Sequence, residues 1–127
     1  MRIYYWPDIP NLHIKPSPSA DGFIKFLGKR NVKIYSLVNK TLKKLEEEGN
    51  NLDSLANGWI KRLSNTPLSE LRIPPHNKSG VIRLYYCTER RFPDSIIILD
   101  WQFKNNDKEK ANTTLAKKRY GELKDAR

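Results

Sequence analysis

The stretch that decides the fold spans residues 81–104 and reads VIRLYYCTERRFPDSIIILDWQFK. It holds two runs rich in β-branched and aromatic residues, Val81–Cys87 and Ser95–Phe103, and the second is entered through Pro93 and Asp94. Such runs, bounded by turn residues, are typical of strands. Only seven residues separate the two runs. A helical crossover needs more, so we expect an antiparallel hairpin.

The residues before and after this hairpin extend the pattern. Leu68–Ile73, closed by two prolines, predicts another strand, and Met1–Trp6 is a short β-rich run. Residues 52–64 fit either a turn or a short helix. Elsewhere apolar residues recur at three- and four-residue steps, which is typical of amphipathic helices. We expect these helices at residues 19–28, 31–48 and 108–125.

The order of these elements is strand, two helices, three strands and a final helix. It predicts an α+β fold in which a small antiparallel sheet of about four strands carries its helices on one face. A chain of 127 residues fits one domain, so we expect residues 1–127 to form a single unit. Residues 7–19 contain four prolines and predict an irregular arm.

The charge of the chain favours a polyanionic partner. Twenty-four Lys and Arg residues face 14 Asp and Glu residues, and the net charge of +10 is spread over both halves of the chain. Nucleic acid or the ribosome would suit such a body, although the charge also fits a requirement for solubility alone. The single cysteine, Cys87, excludes an intramolecular disulfide and any cysteine-based zinc site. Because it lies in an apolar run, we expect it to be buried.

Several classes of protein find no support in the sequence. No apolar run approaches the roughly 20 residues of a membrane helix, and the first residues lack the pattern of a signal peptide. We therefore expect a cytoplasmic protein that does not bind a membrane. We find no glycine-rich phosphate loop and no hydrolase or metalloprotease motif, and the chain has only two histidines. We expect neither a metal nor a cofactor.

Alternation along the predicted strands gathers polar residues on one face of the sheet. We expect this face to be exposed and concave and to carry Arg72, Arg83, Tyr85, Asp100 and Gln102. Arg83 interrupts an otherwise apolar strand, which is costly unless its guanidinium is paired or faces water. A salt bridge to Asp100 or Glu70 and a planar donor aimed at phosphate both remain open.

Several segments together resemble the HigB/RelE family of toxin–antitoxin toxins, and in particular its phage-derived branch. The similarity runs from about Val32 to Leu123, and the order and spacing of the segments carry it. The segments are Leu45–Gly49, Pro67–Ile73, Gly80–Tyr86, Ile97–Lys104 and the basic helix Ala111–Tyr120.

The resemblance implies a RelE-like toxin that enters the ribosome and cleaves mRNA without a metal. In that chemistry the RNA's own 2′-hydroxyl attacks the adjacent phosphate, and fixed cations stabilise the dianionic phosphorane. The implied partners are the ribosome, its mRNA and a cognate antitoxin, for which we expect a helix-turn-helix protein.

The resemblance also implies site residues. Arg83 matches the family's strand arginine, Arg72 lies near its upstream basic position, and Lys104 follows the last strand. We expect these three to form an electrostatic clamp. His76, in the loop before the arginine strand, is the expected acid/base group, because an imidazole titrates near neutral pH. The residues expected to bind RNA are Lys78, Tyr85 and Arg119.

Two other functions remain open for the same fold. The chain lacks a certain counterpart of the tyrosine or histidine that some family members carry near the C-terminus as a proton donor. Its absence favours a catalytically inactive module that docks on a phage or host partner. A ParE-like inhibitor of DNA gyrase is the other alternative, and it would need no RNA chemistry.

Overall fold

The computed structural model describes residues 1–48, 60–74, 81–104, 110 and 112–127. Within these residues the chain forms five strands and three helices. The strands are β1 (Arg2–Tyr5), β2 (Ile60–Arg62), β3 (Ser69–Ile73), β4 (Val81–Glu89) and β5 (Phe92–Lys104). The helices are α1 (Gly22–Arg30), α2 (Val32–Glu48) and α3 (Thr114–Asp125).

The strands form one mixed sheet in the order β1-β5-β4-β3-β2. The antiparallel pairs β3–β4 and β4–β5 confirm the predicted hairpins. The α+β class is also confirmed, but the prediction of about four antiparallel strands is wrong in two respects. β1 runs parallel to β5, and a short fifth strand, β2, lies in the segment predicted as a turn or short helix.

The first two helices cover an apolar face of the sheet. Leu71 and Leu84 lie opposite each other on β3 and β4, with Trp101 next to Leu84 on β5. Phe23 and Phe26 of α1 place their rings 6.3 and 5.2 Å from that of Trp101. Burying such large side chains contributes roughly 1.5–3 kcal/mol each, so this face supplies much of the core energy.

The third helix packs on the opposite face of the sheet, contrary to the prediction that all helices share one face. A bulge in β5 explains the error. Asp100 lies opposite Tyr85 and Ile98 opposite Tyr86, so Leu99 is the extra residue. Beyond it, Ile97 pairs with Cys87 and turns to the face that α3 covers. Both faces of this part of β5 are thus buried, which is why its apolar run does not alternate.

The C-terminal end of α3 is fixed by an ion-pair cluster around the buried carboxylate of Glu89. Nη2 of Arg91 donates to the Leu123 carbonyl at 2.7 Å, and its Nη1 donates to the Ala126 carbonyl. Glu89 lies 2.9 Å from Arg91 and 3.1 Å from Lys124. Burial alone would raise the pKa of Glu89, but hydrogen bonds from Arg91 and Lys124 outweigh it and hold that pKa below its ordinary value.

Residues 7–19 contain no helix or strand beyond an isolated bridge between Tyr5 and Asp8. Trp6 anchors this segment: its side chain is fully buried, and its indole nitrogen donates to the Ser17 hydroxyl at 2.8 Å. The Ala20 amide returns to the Trp6 carbonyl at 2.7 Å. The arm is therefore packed against the body where it leaves and re-enters it.

The helix boundaries differ from prediction in two of three cases. α2 begins at Val32, within one residue of the predicted start, and Oδ1 of Asn31 accepts from the Ile34 amide at 3.1 Å. α1 begins three residues after Ser19 and continues through Gly28. α3 begins at Thr114 instead of residue 108. No helix among the described residues is long and apolar enough to cross a membrane.

Candidate functional site

The strand register places eight polar residues in adjacent rows on one side of the sheet, which we call the polar face. Residues directly opposite each other on antiparallel strands share a face. The members are Lys61, Glu70, Tyr85 and Asp100 in one row, Arg72, Arg83 and Gln102 in the next, and Lys104 beyond them. The five residues assigned to this face from sequence are thus together on it.

The expectation that the polar face is exposed is wrong. Tyr85 has no exposed surface, Lys104 is 2% exposed and Arg83 is 8% exposed. α3 lies over this side of the sheet, and the Asn112 amide before it donates to Gln102 at 3.0 Å. Parity along a strand identifies the residues of a face, but it carries no information about what covers that face.

Two arginines share one carboxylate at the centre of the polar face. Arg72 and Arg83 are direct neighbours on β3 and β4. Oε1 of Glu70 lies 2.8 Å from Nε of Arg83 and 3.4 Å from Nε of Arg72. The predicted alternative of an Arg83–Glu70 salt bridge is therefore present. Adjacent like charges are destabilising, and one carboxylate compensates only one of the two.

The contact between Arg83 and Glu70 is an ion pair without a directed hydrogen bond. Nε of Arg83 and Oε1 of Glu70 are both buried, and neither has a hydrogen-bond partner within the described residues. Buried polar atoms are rarely left so. Arg72 is the more open of the two arginines, with 31% of its side chain exposed. An anion would therefore approach the cluster from the side of Arg72.

Tyr85 acts as a hydrogen-bond donor beside this ion pair. Its hydroxyl donates to Oε1 of Gln102 at 2.7 Å. Burial, reinforced by the Glu70 charge, raises the pKa of Tyr85 to about 12. The phenol is therefore protonated at neutral pH and cannot serve as a general base. Its complete burial also opposes the predicted role of direct contact with RNA.

Two other charged groups lie at the margin of the polar face. Burial raises the pKa of Asp100, although the Trp101 amide and the charge of Arg119 act in the opposite direction. Lys104 lies opposite Val81 and is almost completely buried. Its predicted part in an electrostatic clamp would act through the protein interior and not by direct surface contact.

Arg119 makes hydrogen bonds inside the protein, whereas the sequence predicts that it binds RNA. The side chain is 6% exposed. Its Nη1 donates to the carbonyl of Leu99, the bulge residue, at 2.6 Å. Its Nη2 donates to the Pro18 carbonyl at 3.0 Å. One guanidinium thus joins α3, the bulge of β5 and the end of the proline-rich arm.

Arg119→Ala should therefore destabilise the protein strongly. Two charge-assisted hydrogen bonds are lost and two carbonyls lose a donor, which costs about 2–4 kcal/mol. We expect the melting temperature to fall by about 10 °C. The neighbouring Lys118 is exposed, and Lys118→Ala should change it little. A thermal melt in which the two variants behave alike would contradict this role of Arg119.

His76, the predicted acid/base group, and Lys78, a predicted RNA contact, lie outside the described residues. Cys87 is buried, as predicted, and burial raises the pKa of its thiol to about 12, so it is an unreactive core residue. Within the described ranges, no group of three or more His, Cys, Asp and Glu side chains is placed to hold a metal ion.

Lys61 is the residue of the polar face that sequence reasoning missed. It lies opposite Glu70 on β2 and is exposed. Ile60 and Leu63 stand three residues apart with two basic residues between them. This spacing fits a helical turn better than an alternating strand, so the sequence carries no signal for β2.

No protein-family model, curated protein or solved structure in the comparisons matches the chain.

Proposed function

We propose that this protein is a RelE-like toxin of a toxin–antitoxin system that cleaves mRNA on the ribosome without a metal. The single observation that carries the proposal is the Arg72–Glu70–Arg83 cluster. Two guanidiniums adjoin across neighbouring strands with only one carboxylate between them. The cluster retains one positive charge, and a phosphate of the substrate would compensate it.

The charges of the whole face agree with an anionic substrate. Among the described residues, the polar face carries four basic side chains and two acidic ones. The two acidic side chains, Glu70 and Asp100, are buried and half-buried respectively. Lys61 and Arg72 are the cations that solvent reaches. An RNA backbone would first meet these two positive groups.

In this reaction the role of the arginines is to stabilise negative charge in the transition state. When the 2′-hydroxyl attacks the adjacent phosphorus, the phosphorane gains a second negative charge. A preorganised guanidinium that is already desolvated stabilises that charge more than it stabilises the monoanionic diester. Arg83 is preorganised by Glu70, and Arg72, whose contact with the same carboxylate is longer and whose side chain is more exposed, would approach the phosphate. The leaving group is the 5′-oxygen, so the products are a 2′,3′-cyclic phosphate and a 5′-hydroxyl.

Proton transfer is assigned to His76. Tyr85 and Cys87 are excluded as bases at neutral pH because burial raises both pKa values to about 12. His76 belongs to the chain segment that joins β3 to β4. Arg72 and Arg83 stand one residue pair from the end of that ladder, where Ile73 meets Ile82. The connection therefore starts and ends next to the arginine pair, and Lys78 in the same segment is proposed to contact RNA.

The proposed partners follow from the same activity. They are the ribosome with its mRNA, and a helix-turn-helix antitoxin that neutralises the toxin in the cytoplasm. The buried ion pair also suits a second candidate, a catalytically inactive module of the same fold, because a paired Arg83 needs no substrate to be stable. Growth after induced expression separates the two candidates.

We expect induced expression without an antitoxin to arrest growth and to shorten translated mRNA within minutes. Northern blots of an abundant transcript, with and without an inhibitor of translation initiation, measure the dependence on the ribosome. Healthy growth with intact mRNA would contradict the proposal and favour the inactive module. Growth arrest with intact mRNA and a loss of DNA supercoiling would favour the gyrase inhibitor.

A further inference from the structure

An open groove of about 580 Å³ lies on the side of the sheet opposite the polar face, beside the end of β5. Its walls include three aromatic side chains, all partly exposed: Phe26 of α1 and Trp101 and Phe103 of β5. The ring of Phe26 lies 5.2 Å from that of Trp101 and 5.4 Å from that of Phe103. The volume of the groove lies in the range of small-molecule sites, roughly 300–1,000 Å³.

The groove is left open by the sheet itself. β1 pairs with β5 only at Ser95–Ile98, and the Trp6 amide adds one bond to the Ile98 carbonyl. Within the described residues, no strand continues this pairing along the rest of β5, where Trp101 and Phe103 stand. Their rings therefore border an edge that a ligand can approach from the side as well as from above.

Arg30 is the charged side chain among the described residues that line the groove. Cζ of Arg30 lies 5.1 Å from the ring centre of Phe26. Lys29 precedes Arg30 in α1 and Lys33 lies in the first turn of α2, and both are exposed. No acidic residue occurs between Gly22 and Glu46. Aromatic surface next to exposed cations is the combination that binds a nucleotide, because the rings stack on the base and the cations attract the phosphate.

Gln102 connects this groove with the polar face. Its side chain accepts from the Tyr85 hydroxyl on the polar face at 2.7 Å, and the residue also lines the groove. The same side chain donates to the Lys110 carbonyl at 3.2 Å and accepts from the Asn112 amide at 3.0 Å, so these residues lie beside the direct route from the groove to the polar face. A strand of RNA that reaches both sites would pass outside Lys110 and Asn112, with several nucleotides between the base among the three rings and the phosphate near Arg72.

We propose that this groove binds an unpaired base of the RNA strand that the polar face holds by its backbone. This proposal rests on the proposed function for the identity of the strand. Every base has a π-face, so such a site accepts different sequences. It would hold the strand in register while the phosphate next to the arginine pair reacts.

The test uses two fluorescein-labelled octamers of 2′-O-methyl RNA, one of adenosine and one abasic, with equal numbers of phosphates. The 2′-O-methyl group removes the nucleophile, so binding is measured whether or not the protein cleaves RNA. Fluorescence anisotropy should show that the adenosine octamer binds the wild type about 5- to 100-fold more tightly. Equal affinities of the two octamers for the wild type would overturn the proposal.

Phe103→Leu should remove most of this preference and leave the abasic octamer unaffected. The matched control is Phe92→Leu, which changes a partly buried phenylalanine at the far end of the same strand, next to Tyr4. A thermal melt verifies that both variants are folded. The proposal fails if Phe103→Leu retains the preference, or if Phe92→Leu removes it equally.

Arg30→Gln keeps the test decisive if Phe103→Leu does not fold, since Arg30 is exposed. It should weaken both octamers by a similar factor, because it removes a phosphate contact. An unchanged affinity for both octamers would contradict the role of the cations. Adenosine monophosphate that binds as tightly as the octamer would show a site for a free nucleotide and would overturn the assignment to a strand.

Discussion

Arg83→Ala should both destabilise the protein and abolish mRNA cleavage. Removing one partner of a buried ion pair typically costs 3–5 kcal/mol. Arg72 also lies 3.4 Å from the same carboxylate oxygen, so we expect the lower end of that range, about 3 kcal/mol. Urea unfolding of the purified variant measures this loss. The sequence alone predicts an exposed Arg83, and the observed burial of its side chain is the reason that its loss should also destabilise the fold.

A double substitution separates the structural from the catalytic role of Arg83. Arg83→Met combined with Glu70→Gln replaces the ion pair by neutral side chains of similar size. Such replacements are often neutral or stabilising. The double variant should therefore regain most of the stability and still fail to cleave mRNA. Recovery of cleavage together with stability would show that Arg83 contributes only to folding.

Arg72→Gln should lower the rate of cleavage about 100- to 1,000-fold with little loss of stability. The expected loss in rate is that of one charge-assisted contact made in the transition state. About a third of the side chain is exposed, and Arg83 is closer to Glu70, so the folded state depends on Arg72 less. The measurement is the initial rate of cleavage of a reporter mRNA in a translating extract.

Arg62→Gln is the matched control for Arg72→Gln. Arg62 is an exposed arginine on the next strand, opposite Ser69, and its substitution changes the net charge by the same amount. We expect its rate to stay close to that of the wild type. A rate for Arg72→Gln within about threefold of Arg62→Gln would assign the effect to net charge alone and contradict the role of the arginine pair.

Local pattern was sufficient for the part of the fold that forms the candidate site. The hairpins of β3, β4 and β5 follow from their apolar, β-branched runs and from short connections. Alternation along residues 70–72, 83–85 and 100–102 then separates polar from apolar positions. For that reason Arg72, Arg83, Tyr85, Asp100 and Gln102 could be placed on one face from sequence. The parallel pairing of β1 with β5 links distant parts of the chain, and no local signal indicates it.

The burial of the site could not be predicted from the strands. Residues 96–99 are all apolar, so a bulge at Leu99 leaves no change in their pattern. The bulge turns Ile97 to the face that α3 covers, and Arg119 of α3 then binds the Leu99 carbonyl. The sequence therefore predicts that Arg119, a basic residue on the last helix, contacts RNA, whereas in the structure it joins α3 to β5. Helix placement depends on tertiary contacts of this kind, which periodicity does not encode.

The most direct test of the proposed activity is to map the ends of a reporter mRNA after incubation of the purified protein in a translating extract. Attack by the 2′-hydroxyl predicts fragments with a 5′-hydroxyl, which polynucleotide kinase labels without prior phosphatase treatment. These ends should appear with the wild type, should be strongly reduced with Arg72→Gln, and should be absent when initiation is blocked. Intact mRNA, or fragments that carry a 5′-phosphate, would contradict metal-free cleavage by this protein.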